Sequence, residues 1–134
     1  MKKRILIVDD EPLILSQMSK ALYAICGFHG EIMTAENGEG AIKEIDGCFY
    51  NICFLDIMLP DMNGLDVMKK IKTVSPDTQI AIMTGSYITE DMKRTIDEGA
   101  ALFLEKPFDF SRIKFFMNKV IGVGGVLYRE QSSC

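Results

Sequence analysis

The sequence predicts a doubly wound α/β fold: one five-stranded parallel sheet with helices on both faces. Three observations carry this expectation. Strand-like and helix-like segments alternate five times along the chain, the pattern of βαβ units. The first strand segment is continuously apolar, as suits a strand covered on both faces. The chain has 134 residues, enough for one domain with a real core.

Arg4 to Val8 reads as the first strand. Pro12 suits the first helical position, where its missing N–H leaves nothing unsatisfied. Ile14, Met18, Leu22 and Ile25 keep helical spacing, and Gly27 comes next as a stop. Glu31 to Ala35 is the second strand. Asn37 to Asp46 is a short helix with Ala41, Ile42 and Ile45 inward, ended by Gly47. Ile52 to Leu55 is the third strand, and a loop with Pro60 and Gly64 leads to a helix carrying Leu65, Met68 and Ile71. Ser75-Pro76-Asp77 is a turn before the fourth strand, Gln79 to Met83. Thr89 can cap a helix bearing Met92 and Ile96, which Gly99 ends. Ala101 to Leu104 is the fifth strand. Asp109 can cap a last helix with Ile113, Met117 and Val120 on one stripe. Gly122-Val123-Gly124-Gly125 breaks it, and the stretch from Val126 to Cys134 is too short for a second domain.

Composition excludes several classes. Apolar residues make up 48% and charged residues 25%, a globular balance. The net charge of -4 argues against a nucleic-acid surface. Lys2-Lys3-Arg4 and Lys69-Lys70-Ile71-Lys72 read as a solvated terminus and a solvated helix face. No segment approaches the ~18 apolar residues of a membrane span, and Ile5 to Val8 is too short for a signal peptide. A cytoplasmic protein is expected. Cys26, Cys48, Cys53 and Cys134 are irregularly spaced, and His29 is the single histidine. That leaves no zinc set, and free thiols in a reducing compartment are expected.

The chemistry lies at the strand ends. Asp9 and Asp10 come after strand one, Asp56 after strand three, Thr84 after strand four and Lys106 after strand five. With the flavodoxin-like order 2-1-3-4-5, strands one and three meet at the switch point, where ligands bind in such sheets. Asp9, Asp10 and Asp56 then converge, with Thr84 and Lys106 opposite. Converging carboxylates repel unless a positive charge lies among them, and Mg²⁺ is the usual cation where phosphate chemistry occurs. A carboxylate can accept a phosphoryl group. That transfer needs positioning and charge neutralisation more than proton chemistry.

These residues resemble the receiver domain of two-component response regulators. The resemblance covers roughly Lys2 to Val120. It is carried by Asp9-Asp10, by Asp56 ahead of Met58-Leu59-Pro60-Asp61-Met62-Asn63-Gly64, by Thr84-Gly85, and by Lys106-Pro107-Phe108. It implies a receiver domain over residues 1–121, with 122–134 a flexible C-terminal tail or the start of a linker. Asp56 would be the phosphoacceptor. Asp10, Asp56 and the Met58 carbonyl would bind Mg²⁺ directly, and Asp9 through water. Lys106 would pair with the phosphoryl group or with Asp56. Thr84 would be the switch hydroxyl and Phe103 the switch aromatic, with a cis peptide between Lys106 and Pro107. The expected phosphoryl source is a sensor histidine kinase or a phosphotransfer protein.

Two competing functions are weaker. A Mg²⁺-dependent phosphohydrolase that forms its aspartyl-phosphate with a D-x-D pair needs an acid two places after the nucleophile, where Met58 stands. A flavin carrier needs a phosphate-cradling loop after strand one, where Asp9-Asp10-Glu11 would repel phosphate. Asn37-Gly38-Glu39-Gly40-Ala41 has Lys43 in place of a third glycine and is no dinucleotide motif. On the last helix, Phe115 lies about 160° from the core stripe at ~100° per residue, and Phe116 on its flank. The pair predicts a dimer or output-domain contact on the face of helix four, strand five and helix five.

Overall fold

The computed structural model describes residues 2–122. The expected tail or linker beyond Gly122, with Cys134, lies outside them. The elements alternate strictly: β1 (Arg4–Val8), α1 (Pro12–Ala24), β2 (Glu31–Ala35), α2 (Gly38–Gly47), β3 (Ile52–Asp56), α3 (Gly64–Val74), β4 (Gln79–Thr84), α4 (Glu90–Gly99), β5 (Leu102–Glu105) and α5 (Phe110–Val120). The sheet is parallel throughout, in the order β2-β1-β3-β4-β5.

Side chains alternate across a strand, so each strand feeds two cores. Ile5, Ile7, Ile52, Phe54, Ala81, Met83 and Leu104 pack under α1 and α5. Leu6, Val8, Cys53, Leu55, Ile80 and Ile82 pack under α2, α3 and α4. The central strands β1, β3 and β4 are almost wholly buried, while edge strand β2 exposes Met33 and Thr34. Asn37, Asn63, Thr89 and Asp109 each accept a first-turn N–H at a helix start. Glu11 makes no such bond, and Pro12 at the first position has no N–H to give.

The expected helix stripes need two corrections. On α1, Leu15 and Ala21 turn inward beside Met18 and Leu22, while Ile14 is half-buried and Ile25 exposed. Ile25 is the C-cap, its backbone still helical and its N–H bonded to Ala21 O, but its side chain stays exposed at the helix end. On α5, Phe116 belongs to the core and meets Phe54 edge-on, with ring centroids 6.3 Å apart. It is therefore withdrawn from the expected contact surface. The helix lies on a sheet wide enough to cover both Ile113 and its neighbouring flank. Phe115 remains 72% exposed.

Cys26 and Cys53 are buried free thiols. The free-thiol expectation fails at Cys48, which is disulfide-bonded. Irregular spacing in sequence says nothing about which sulfurs approach each other in space. No helix among the described residues is long and apolar enough to cross a membrane.

Candidate functional site

Parallel register brings the C-terminal ends of β1, β3, β4 and β5 to one edge of the sheet. Val8 pairs with Leu55, Asp56 with Met83, and Thr84 with Glu105. The strands end one residue later than apolarity alone predicts at β3 and β4, because Asp56 and Thr84 still pair in the ladder. Asp9 directly succeeds β1, and its N–H donates to Ala35 O.

Three groups named from the sequence meet here as charges. Lys106 Nζ lies 2.7 Å from Asp9 Oδ2 and 3.0 Å from Asp56 Oδ2. The carboxylates are nearly inaccessible, Asp9 at 0% and Asp56 at 4%. Asp10 is exposed beside them, and Asp9, Asp10, Glu11 and Asp56 each offer an oxygen within 4.8 Å of the others. Asp56 Oδ1 accepts from Met58 N at 3.1 Å, and Asp9 Oδ1 from Glu11 N at 2.9 Å.

The charges do not balance. Burial pushes the Asp56 carboxyl up. The Met58 N–H and Lys106 pull it down, Asp9 repels it, and burial prevails. For Lys106 the order reverses. Burial would lower its proton affinity, but hydrogen bonds to Asp9 and Asp56 raise it well above the ordinary lysine range. A cluster with surplus carboxylate oxygens and one ammonium suits a hard divalent cation, and oxygen ligands are the set that Mg²⁺ prefers.

Thr84 is buried at the end of β4, and its Oγ1 accepts from Ser86 N at 3.0 Å. Phe103 is half-buried against the α2–α3–α4 core, in register with Ile82 on β4. The Lys106–Pro107 peptide is cis. Met58 exposes its side chain and carries no proton-transfer group, so the hydrolase alternative gains nothing there.

Sequence reasoning missed two contributors. Glu11 Oε1 lies 3.4 Å from Lys106 Nζ, a third carboxylate on the same ammonium. Its place after Asp9-Asp10 could have signalled it. Asp61, in the loop after β3, reaches α2 instead of the site, and no local period marks it.

The loop around Asp56 is tightly closed. Gly64 N donates to Ile57 O at 2.7 Å. A Cβ on Gly64 would overlap Asp56 O and stand 2.7 Å from Ile57 Cα, both backbone atoms that cannot yield. Gly64→Ala is expected to cost about 1–3 kcal/mol in denaturant unfolding, an overpacking penalty.

A family profile described as the response regulator receiver domain matches residues 5–117. The chain is 32% identical over 124 residues to the chemotaxis protein CheY of Thermotoga maritima, covering 90% of this chain and 98% of that one. It is 31% identical over 123 residues to the probable transcriptional regulatory protein TcrX of Mycobacterium tuberculosis, covering 91% of this chain but 51% of the relative. It thus spans about half the length of some curated relatives it matches, and less of others. Among solved structures it is similar to the response regulator TrrA of Thermotoga maritima in complex with Mg²⁺-BeF. That match has 35% identity and a TM-score of 0.75, and covers 89% of this chain and 99% of that one.

Proposed function

The chain belongs to the response regulator receiver domain family of two-component signalling, and from that premise we propose that Asp56 is its phosphoacceptor. The observation that supports this most is the Lys106 ammonium shared between two buried carboxylates, Asp9 and Asp56, at a four-carboxylate cluster. An oxygen of Asp56 forms the new P–O bond, and the bond from phosphorus to the donor breaks. The leaving group departs with that electron pair. Lys106, already 3.0 Å from Asp56, turns to the phosphoryl oxygens as they arrive. The Thr84 hydroxyl, which donates to Ser86 O at 3.3 Å, can leave that acceptor and donate to the same group. The half-buried Phe103, packed against the α2–α3–α4 core, would move inward as that loop shifts.

Asp10, Asp56 and the Met58 carbonyl would hold Mg²⁺, with Asp9 in support through water. The cation supplies positive charge that offsets the phosphoryl and carboxylate oxygens. The similar structure of TrrA with Mg²⁺-BeF supports that choice. The proposed donors are a histidine kinase or phosphotransfer protein, in the cytoplasm. Incubation with acetyl phosphate, with and without Mg²⁺, then intact-mass measurement, tests the reading. Gain of one phosphoryl group only with Mg²⁺ is expected, and no gain in either condition would reject it.

For output, the proposed surface is the α4–β5–α5 face with Phe115 alone as its aromatic anchor. Ala101, Leu102, Arg112 and Lys119 border the same shallow depression. Phe115→Ser is expected to leave Asp56 phosphorylation within about twofold and to weaken self-association or partner binding roughly tenfold. Light scattering and partner pull-down on the phosphorylated protein read this out. Unchanged association in both would place the contact elsewhere.

A further inference from the structure

The loop between β3 and α3 is tied down by a residue outside the carboxylate cluster. Asp61 Oδ1 accepts from Gly38 N at 2.7 Å, and Oδ2 from Glu39 N at 2.9 Å. These are the first two N–H groups of α2, and the next, on Gly40, goes to Asn37 Oδ1 at 2.7 Å. One helix start is therefore capped jointly by its own N-cap residue and by a side chain 22 and 23 positions away. The hydrogen bonds, that from Gly38 first, hold the Asp61 carboxyl below the usual carboxylate range.

Met62 reinforces the contact. A Cβ on Gly38 would run into Met62 Cγ and Sδ and stand 3.1 Å from Val67 Cγ2. At its base the loop closes through the Gly64 N–Ile57 O bond and a bridge between Met58 and Asn63. The ring is fixed at the bottom by β3 and α3 and at its tip by α2. Met58 belongs to that base through its bridge to Asn63, three positions from Asp61 at the tip, and its N–H already orients Asp56 Oδ1.

We infer that Asp61 is a positioning residue of the phosphoryl-transfer site: by fastening the loop to α2 it sets where Met58 and the Asp56 carboxylate stand for Mg²⁺. The inference rests on the receiver reading above. Losing an orienting contact behind a metal ligand costs roughly tenfold or more in metal affinity.

Three variants of the full chain separate the causes. Asp61→Ala removes both acceptor oxygens. Asp61→Asn keeps one. Gly38→Ala leaves Asp61 intact and pushes Met62 off the helix, so a folded test remains if Asp61→Ala is unstable. Titration calorimetry measures Mg²⁺ affinity, and intact mass tracks phosphoryl gain from acetyl phosphate over a Mg²⁺ series. The Mg²⁺ dissociation constant should rise roughly tenfold in Asp61→Ala. It should rise less in Asp61→Asn and measurably in Gly38→Ala, and phosphorylation rates should converge on wild type at saturating Mg²⁺. A purely structural role would lower the melting temperature and leave Mg²⁺ affinity of the folded variants at the wild-type value, and that result overturns the inference. Wild type that neither binds Mg²⁺ nor gains phosphate would instead reject the receiver reading, and this inference with it.

Discussion

Asp56→Asn should show no phosphoryl gain from acetyl phosphate under conditions that fully modify the wild type. The amide is neither charged nor nucleophilic, and no other carboxylate in the cluster replaces Asp56. Asp9 is wholly buried behind Lys106, and Asp10 and Glu11 come after the end of β1 rather than lying within a strand. Intact mass of both proteins checks this, and equal gain in the two would move the acceptor elsewhere. The same variant should be more stable than wild type without Mg²⁺, by about 1 kcal/mol, because a buried carboxylate beside Asp9 is removed. Its pH dependence has a definite sign. The Asp56 carboxyl is raised from its ordinary 3.8, so the folded state binds the proton more tightly than the unfolded chain. Wild-type stability therefore falls as pH rises from about 3.8 through the raised value, and the gap to Asp56→Asn should open across that window. Mg²⁺ should close it again.

Lys106→Gln should fail in the opposite way. Phosphoryl gain should slow roughly 100-fold or more, the scale of removing one preorganised donor from developing charge. The fold should also lose about 2–3 kcal/mol, since Asp9 and Asp56 keep their charges and lose their shared partner. The ammonium is raised above its ordinary 10.5, so its contribution is fully present below that value and lost only above it. Urea unfolding should thus show a constant gap across neutral pH that narrows above about pH 10.5. A variant as stable and as reactive as wild type would show that Lys106 is not the balancing charge.

The two variants separate what each charge does. Asp56 is a burden on the metal-free fold that its chemistry requires, and Lys106 offsets part of that burden. A site built this way is held by the sheet around it, through Val8, Leu55 and Met83, which are all buried.

Much of this was legible locally. Short strand-like runs bounded by turn residues marked the five strands to within a residue, and the central β1, β3 and β4 most plainly, because burial on both faces leaves no polar position inside them. Asn37, Thr89 and Asp109 marked helix starts, because a short oxygen-bearing side chain satisfies first-turn N–H groups from nearby in sequence. Asp9, Asp56, Thr84 and Lys106 stood out because each closes a strand, and parallel strands put those ends on one edge. Near neighbours and burial were therefore enough to establish the strands, the helix starts and the chemical types at the strand ends.

Other features lay beyond the reach of a local pattern. Periodicity shows the direction of a helix stripe but not its width. Phe116 therefore looked like a flank residue until Phe54 on β3 supplied its partner. Cys48 showed no pairing signal in its spacing. Asp61 carries no period, and its partners on α2 lie 22 and 23 positions away. The Lys106–Asp9 contact spans 97 positions, and Lys106–Asp56 spans 50. The Lys106–Asp56 pair was expected from the resemblance, but that the same ammonium also holds the buried Asp9, and that Asp61 fastens the loop beside them, emerged with the folded chain alone. Those distances are set by strand order and helix docking, which close the chain over separations that no local pattern encodes.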